Sequence, residues 1–253
     1  MTLKEKFEIK GKIALITGAS KGIGAAISLA LAEQGAKVVI SSRKKEGIDE
    51  TVNSLTAASL NAHGIVCNVG DEAQLKMLVE ETIAHFGGID ILVNNAGIAH
   101  SSPVETLALS DFQRVMDVHV TGTFLCSKAA IAMMYVQEQG CIINTASQLA
   151  YIGAPAFSHY TAAKGAILSF TRSLALEVGS RNIPVNAVAP GATMTPILED
   201  VPSEVLDVIK SNIPAGKIAE VDDIVGAYLF LASDAARHFR GQCISPNGGD
   251  AFL

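Results

Sequence analysis

The chain has 253 residues, 49% of them hydrophobic and 17% charged, with a formal net charge of −6. That length and apolar content are enough to bury a large single core. With no basic run, the sequence carries no electrostatic footprint for nucleic acid or an anionic membrane.

No apolar stretch precedes Ile13, which argues against a secretory leader, and no window approaches the ~20 apolar residues of a membrane span. A soluble, cytoplasmic protein is therefore expected. Ile- and Val-rich runs read as strands over Lys12–Thr17, Lys37–Ser42, Ala62–Cys67, Ile89–Asn94, Cys141–Ala146, Pro184–Ala189 and Gln242–Ser245. Helical periodicity marks Ile23–Gln34, Glu72–Phe86, Phe112–Met134, His159–Val178 and Asp222–Ser233. Strands without clean polar alternation suit a parallel sheet covered on both faces. Repeated β–α units then predict an α/β fold, one doubly wound parallel sheet of about seven strands within a single domain over 1–253. Only the stretch from Pro190 to Pro214 breaks the rhythm. At about 25 residues it is long for a connection, and a substrate flap at about 191–214 is expected there. The four cysteines, Cys67, Cys126, Cys141 and Cys243, show no metal-ligand spacing, so reduced buried thiols and no metal are expected.

The first strand runs into Thr17-Gly18-Ala19-Ser20-Lys21-Gly22-Ile23-Gly24 and then directly into an apolar helix. Glycines at such a junction let the backbone approach a pyrophosphate, whose charge sits at the helix N-terminus. At the end of the second strand an acidic residue would pair with a ribose 2′-hydroxyl and repel a 2′-phosphate. This chain has Ser42 there, followed by Arg43, with Lys21 in the glycine turn. Read alone, these cations are solvated surface charges. Beside a missing acid they favour NADP(H) over NAD(H).

Further along lie Ser147, Tyr160 and Lys164. The last two are four residues apart and share one face of a predicted helix. A phenol with its ordinary pKa of about 10 is a poor base at neutral pH. A nearby ammonium and an oxidised nicotinamide would both favour phenolate, making Tyr160 a general acid/base, while Ser147 would hydrogen-bond the reacting oxygen.

The glycine spacing, Asn94-Asn95-Ala96-Gly97 after the fourth strand and Tyr160-x-x-x-Lys164 together closely resemble the short-chain dehydrogenase/reductase family, over Lys12 to about Gly249. The resemblance implies a Rossmann fold with helices on both faces and hydride transfer between a nicotinamide and a carbonyl carbon. It further implies cofactor contacts at Gly18, Ser20, Lys21, Gly22, Ile23, Gly24, Ser42, Arg43, Asn68, Val69, Asn95, Ala96 and Gly97. Tyr160, Lys164, Pro190, Gly191 and Thr195 complete that set. Asn68 stands where the family usually has an aspartate reaching the adenine amino group. His119 stands where the family often has an asparagine holding a relay water. It either replaces that relay, titrating near neutral pH, or is packed in the helix with no chemical role.

A pocket of Gln148, Ala150, Tyr151, Ile152, Phe157, His159, Ala192, Met194, Ile197 and Leu198 is expected, although Tyr151 and Phe157 also fit a core role. It has no Lys or Arg, which suits a neutral ketone or secondary alcohol as small-molecule substrate. Relatives that reduce 3-oxoacyl groups on acyl carrier protein need a basic docking face. Tyr135-Val136-Gln137-Glu138-Gln139 supplies no positive charge, leaving Arg172 and Arg181, so that activity ranks second. A non-catalytic sensor would keep the glycine turn but lose the Tyr or Lys, and ranks last. The family's pattern of paired helices implies a homotetramer, with a dimer as the fallback.

Overall fold

A computed structural model describes residues 2–196, 198 and 201–252. Seven parallel strands form one sheet: β1 (Ile13–Thr17), β2 (Lys37–Ser42), β3 (Ala62–Val66), β4 (Ile91–Asn94), β5 (Cys141–Thr145), β6 (Val185–Val188) and β7 (Cys243–Ile244). Their order is β3-β2-β1-β4-β5-β6-β7. The chain therefore winds one way from β1 and then reverses at β4. The register places Thr17 beside Ser41 and Asn94 beside Asn144.

Side chains alternate through β1, and this divides the core. Ala14 and Ile16 pack on one face with α1 (Gly22–Glu33), α2 (Lys45–Ala57) and α9 (Val221–Ala232). Leu15 packs on the other with α3 (Glu72–Phe86), α5 (Gly122–Gln137) and α7 (Ser158–Glu177). The connecting helices are α4 (Leu109–Met116), the short α6 (Leu149–Ile152) and α8 (Ser203–Asn212).

The helix expected over Phe112–Met134 is interrupted. α4 passes into a π-helical turn, Asp117–Thr121, before α5 begins. Helical periodicity alone cannot reveal such a turn, because one inserted residue leaves the apolar pattern readable on either side. β2 matches its expected bounds, and the other six strands are one or two residues shorter than expected. Cys67, Cys126 and Cys141 are buried free thiols and Cys243 is half-buried. Burial pushes the Cys67 thiol up to about 11 and the Cys141 thiol to about 12, so both stay protonated at neutral pH.

The stretch after β6 is fastened at both ends. Met194 N donates to Ala219 O over 2.8 Å, Ala219 N donates to Ala192 O over 3.0 Å, and Ala215 N donates to Gly248 O over 3.0 Å. Between these fastenings α8 buries none of its residues. Among the described residues no helix is long and apolar enough to cross a membrane.

Candidate active site

The reversal of strand order leaves a crevice at the carboxyl ends of β1 and β4, where doubly wound sheets receive ligands. The glycine turn is built into its floor. Gly18 has φ +65°, and a Cβ there would lie 2.6 Å from the Ala96 Cα. The loops after β1 and β4 can touch only because Gly18 has no side chain. Thr17 and Asn95 then tie them together. Thr17 Oγ1 accepts from the amides of Asn95 and Ala96, both at 3.1 Å, and Asn95 Nδ2 donates to the carbonyls of Thr17 and Gly18.

The start of α1 has no side-chain cap and no acidic residue in its first turn, which leaves its amides and dipole for an anion. Ser20 Oγ donates to Ser42 Oγ over 3.0 Å. Lys21 and Arg43 flank that pair, exposed, and neither forms an ion pair with another described residue. These residues fit a dinucleotide with an extra phosphate on its adenosine ribose. Thr195 meets the turn from the other side, its side chain 3.5 Å from where a Gly22 Cβ would lie. Asn68 follows β3 at the edge of the crevice. Its Oδ1 already accepts from Gly70 N at 3.3 Å in an Asx turn, leaving one lone-pair direction open. Val69 is buried against Gly122.

Ser147, Tyr160 and Lys164 converge at the end of β5, with the Ser147 side chain beside the Tyr160 hydroxyl. Lys164, only 3% exposed, donates from Nζ to Thr145 O over 2.7 Å and lies 5.6 Å from the Tyr160 ring centroid. Burial pulls its amine down to about 7. The protein's own groups do not depress Tyr160 as expected. Burial pushes the phenol up, and the Ser147 side chain only partly offsets it.

His119 meets Tyr160 edge-on, with ring centroids 5.4 Å apart. Gly97 makes room for it, since a Cβ there would lie 2.6 Å from His119 Cε1. His119 Nε2 lies 2.8 Å from Ile98 O and 3.1 Å from Ile98 N. It donates to the carbonyl in one tautomer and accepts from the amide in the other. Nδ1 is buried with no hydrogen-bonding partner among the described residues. The expectation that this ring titrates near neutrality is corrected: burial first, and the Lys164 charge second, push it down to about 3, so it stays neutral.

The expected pocket assembles only in part. Phe157 lies edge-on to Tyr160 at 6.2 Å, while Ala192 and Met194 form the fastened base of the segment after β6. Gln148 is 5% exposed and its amide donates to Asp250, so it is turned toward that residue; its Oε1 has no partner among the described residues. His159 is fully buried against His100, ring centroids 4.6 Å apart, and backs the site without lining it. Tyr151 turns away, toward Arg172 and Cys243. It lines a separate cavity of about 480 Å³ between α7 and β7 that includes none of Ser147, Tyr160 or Lys164. Ile197 lies outside the described residues. Among the described residues no group of three or more His, Cys, Asp or Glu could hold a metal ion.

A family model described as Enoyl-(Acyl carrier protein) reductase matches residues 18–250. The chain belongs to the short-chain dehydrogenase/reductase family. This dehydrogenase/reductase is accordingly an oxidoreductase that interconverts a ketone and a secondary alcohol. It is similar to a 3alpha-hydroxysteroid dehydrogenase of Mediterraneibacter gnavus, 38% identical over 95% of this chain and 97% of that protein. It is also similar to a 3-oxoacyl-[acyl-carrier-protein] reductase of Thermotoga maritima, 36% identical over 95% of this chain and 98% of that one. A crystal structure of a gluconate 5-dehydrogenase from Burkholderia cenocepacia, in complex with NADP and tartrate, superposes with a TM-score of 0.93. That protein is 32% identical, with 97% of each chain covered.

Sequence reasoning missed the residues behind the front line. Thr17 organises both loops of the crevice, and Thr145 supplies the acceptor for Lys164. Thr145 was within reach, because it ends the strand two residues before Ser147; that its carbonyl meets the Lys164 amine is a matter of three-dimensional packing.

Proposed function

We propose that this enzyme is an NADP(H)-dependent dehydrogenase/reductase of neutral ketones and secondary alcohols, with Tyr160 as general acid/base. The observation that carries the cofactor choice is the pair of unpaired cations, Lys21 and Arg43, flanking Ser42 where an acid would otherwise stand. Both are free to meet a 2′-phosphate, and no carboxylate opposes it. The NADP-bound gluconate 5-dehydrogenase relative supports the same choice.

The bound nicotinamide supplies or accepts the hydride. Tyr160 gives its phenolic proton to the oxygen of the ketone being reduced, and takes one back in the reverse direction. Ser147 donates a hydrogen bond to that oxygen and fixes it beside Tyr160. Lys164, with an amine near about 7, holds or releases a proton next to Tyr160 at working pH. The neutral His119 offers its unpartnered Nδ1 as a water-holding group in the relay position. The segment expected as a flap, 191–214, includes 197, 199 and 200 outside the described residues; its described part would cover the substrate from the two fastenings beside Ala219 and Gly248.

The 3-oxoacyl reductase reading has the Thermotoga relative in its favour. Against it, the Arg181 guanidinium stacks 4.0 Å over the Tyr135 ring, and Arg172 is turned into the cavity with Tyr151. Both are exposed, so each could meet an acidic carrier only by giving up that local contact. A homotetramer in the cytoplasm remains our proposal. Exposed Phe124 and Val136 on α5 and Leu176 on α7 support self-association.

The test is NADPH and NADH oxidation against simple cyclic, aromatic and sugar-like ketones and an acetoacetyl thioester. Turnover of neutral ketones with NADPH is expected. A strong preference for the thioester would promote the oxoacyl reading, and a preference for NADH would sink the cofactor assignment.

A further inference from the structure

The Lys164 amine is 3% exposed, and its hydrogen bond within the chain goes to the Thr145 carbonyl over 2.7 Å. β4 ends at Asn94, which pairs with Asn144, so the carbonyl one residue further along β5 has outrun its neighbouring strand. Thr145 stays in register with Val188 of β6 on its other side, and its side chain adds a second hold. Thr145 Oγ1 lies 2.9 Å from the Tyr228 hydroxyl. Tyr228 is fully buried on α9, where a lone phenolic hydroxyl would be costly. α9 and α7 cover opposite faces of the sheet. The connection therefore runs through the sheet, from Tyr228 on one side, by way of Thr145, to Lys164 on the other.

We propose that Tyr228 is a positioning residue for the hydride-transfer site, fixing through the Thr145 side chain the carbonyl that receives the Lys164 amine. The proposal rests on the reading of Lys164 as part of the catalytic group. The groups facing Lys164 are Tyr160 on its own helix, His119 from the π turn, the Thr145 carbonyl from β5 and, behind it, Tyr228 from α9. Cys243 of β7 acts in turn on Tyr228. A hydrogen bond to the charged form of an amine favours that form. Loosening the carbonyl therefore lowers the pH at which Lys164 loses its proton.

The experiment is a pH titration of Lys164 by NMR in protein carrying ¹³Cε-lysine, comparing wild type with Tyr228→Phe, which keeps the ring and removes the hydroxyl. A downward movement of the Lys164 midpoint by about half a pH unit or more is expected. Thr145→Val should give the same movement, the double variant no further movement, and Thr145→Ser the wild-type midpoint. In parallel, the pH profile of cyclohexanone reduction with NADPH should move in the same direction. A Lys164 midpoint unchanged in Tyr228→Phe, or movements that add in the double variant, would overturn the proposal, whatever happens to thermal stability. If Tyr228→Phe does not fold, the contrast between Thr145→Val and Thr145→Ser decides the matter. The titration needs no turnover, so failure of the ketone-reduction reading would appear separately as absent activity with an intact Lys164 shift.

Discussion

On the β1–β2 side of the crevice, Lys21 and Arg43 stand exposed beside a hydrogen-bonded Ser20–Ser42 pair, and the loops are stapled by Thr17 and Asn95. On the β5 side, Lys164 and His119 are 3% and 1% exposed, both far below their ordinary pKa values. The first region keeps its cations in water, where they cost nothing until an anion arrives, and leaves the first amides of α1 uncapped beside them. The second has removed its titratable groups from water, so small changes in their surroundings decide which of them carries a proton. One region is built to receive charge and the other to move it.

That contrast is broken most severely by removing the proton donor. Tyr160→Phe should lower the rate of ketone reduction roughly a thousandfold while NADPH affinity, followed by fluorescence titration, stays near wild type. A variant retaining a tenth of the rate would mean that another group moves the proton. On the receiving side, Arg43→Ala should weaken NADPH binding about ten- to a hundredfold and leave NADH binding unchanged. Equal losses for both would show that Arg43 does not meet a 2′-phosphate.

Smaller effects sharpen the buried side. Lys164 has an ordinary value of 10.5 and lies at about 7 when folded, so between those values the unfolded chain binds more protons. Stability should therefore rise with pH across that window, the cost of the buried charge being fully present below it. Lys164→Met removes this dependence. Its gain in Tm over wild type should be greater near about pH 6 than near about pH 10 by several degrees. An equal gain at both would mean that the amine stays ordinary. Smallest of all, His119→Ala should keep measurable turnover, reduced several-fold. Complete loss with the fold intact would make the relay indispensable, and an unchanged rate would make His119 a packing residue.

Much of the architecture was legible because its signals are local. Each strand was placed to within two residues, since Ile- and Val-rich runs bounded by turn residues have few other uses. The glycine turn, Ser147, Tyr160 and Lys164 were legible because their spacing is itself the chemistry. What escaped was set by three-dimensional neighbours. Helix α2 carries only Ile48 and Leu55 as buried residues, too few to stand out as a periodic pattern. Tyr151 lies four residues from Ser147 yet faces the α7–β7 cavity, a direction that sequence separation does not carry. Burial of Tyr160, which pushes its phenol up within the chain alone, depends on folded neighbours and is not legible in the sequence.

The π turn at Asp117–Thr121 amounts to a phase adjustment in an otherwise continuous rod. Upstream, α4 packs on α7; downstream, α5 packs on α3. One α-helical residue turns the axis by about 100°, so a strictly regular helix could not satisfy both neighbours. The extra residue absorbs the mismatch at the place where His119 must face Tyr160. A chain shortened by a single residue there would have to choose between its catalytic face and its core face.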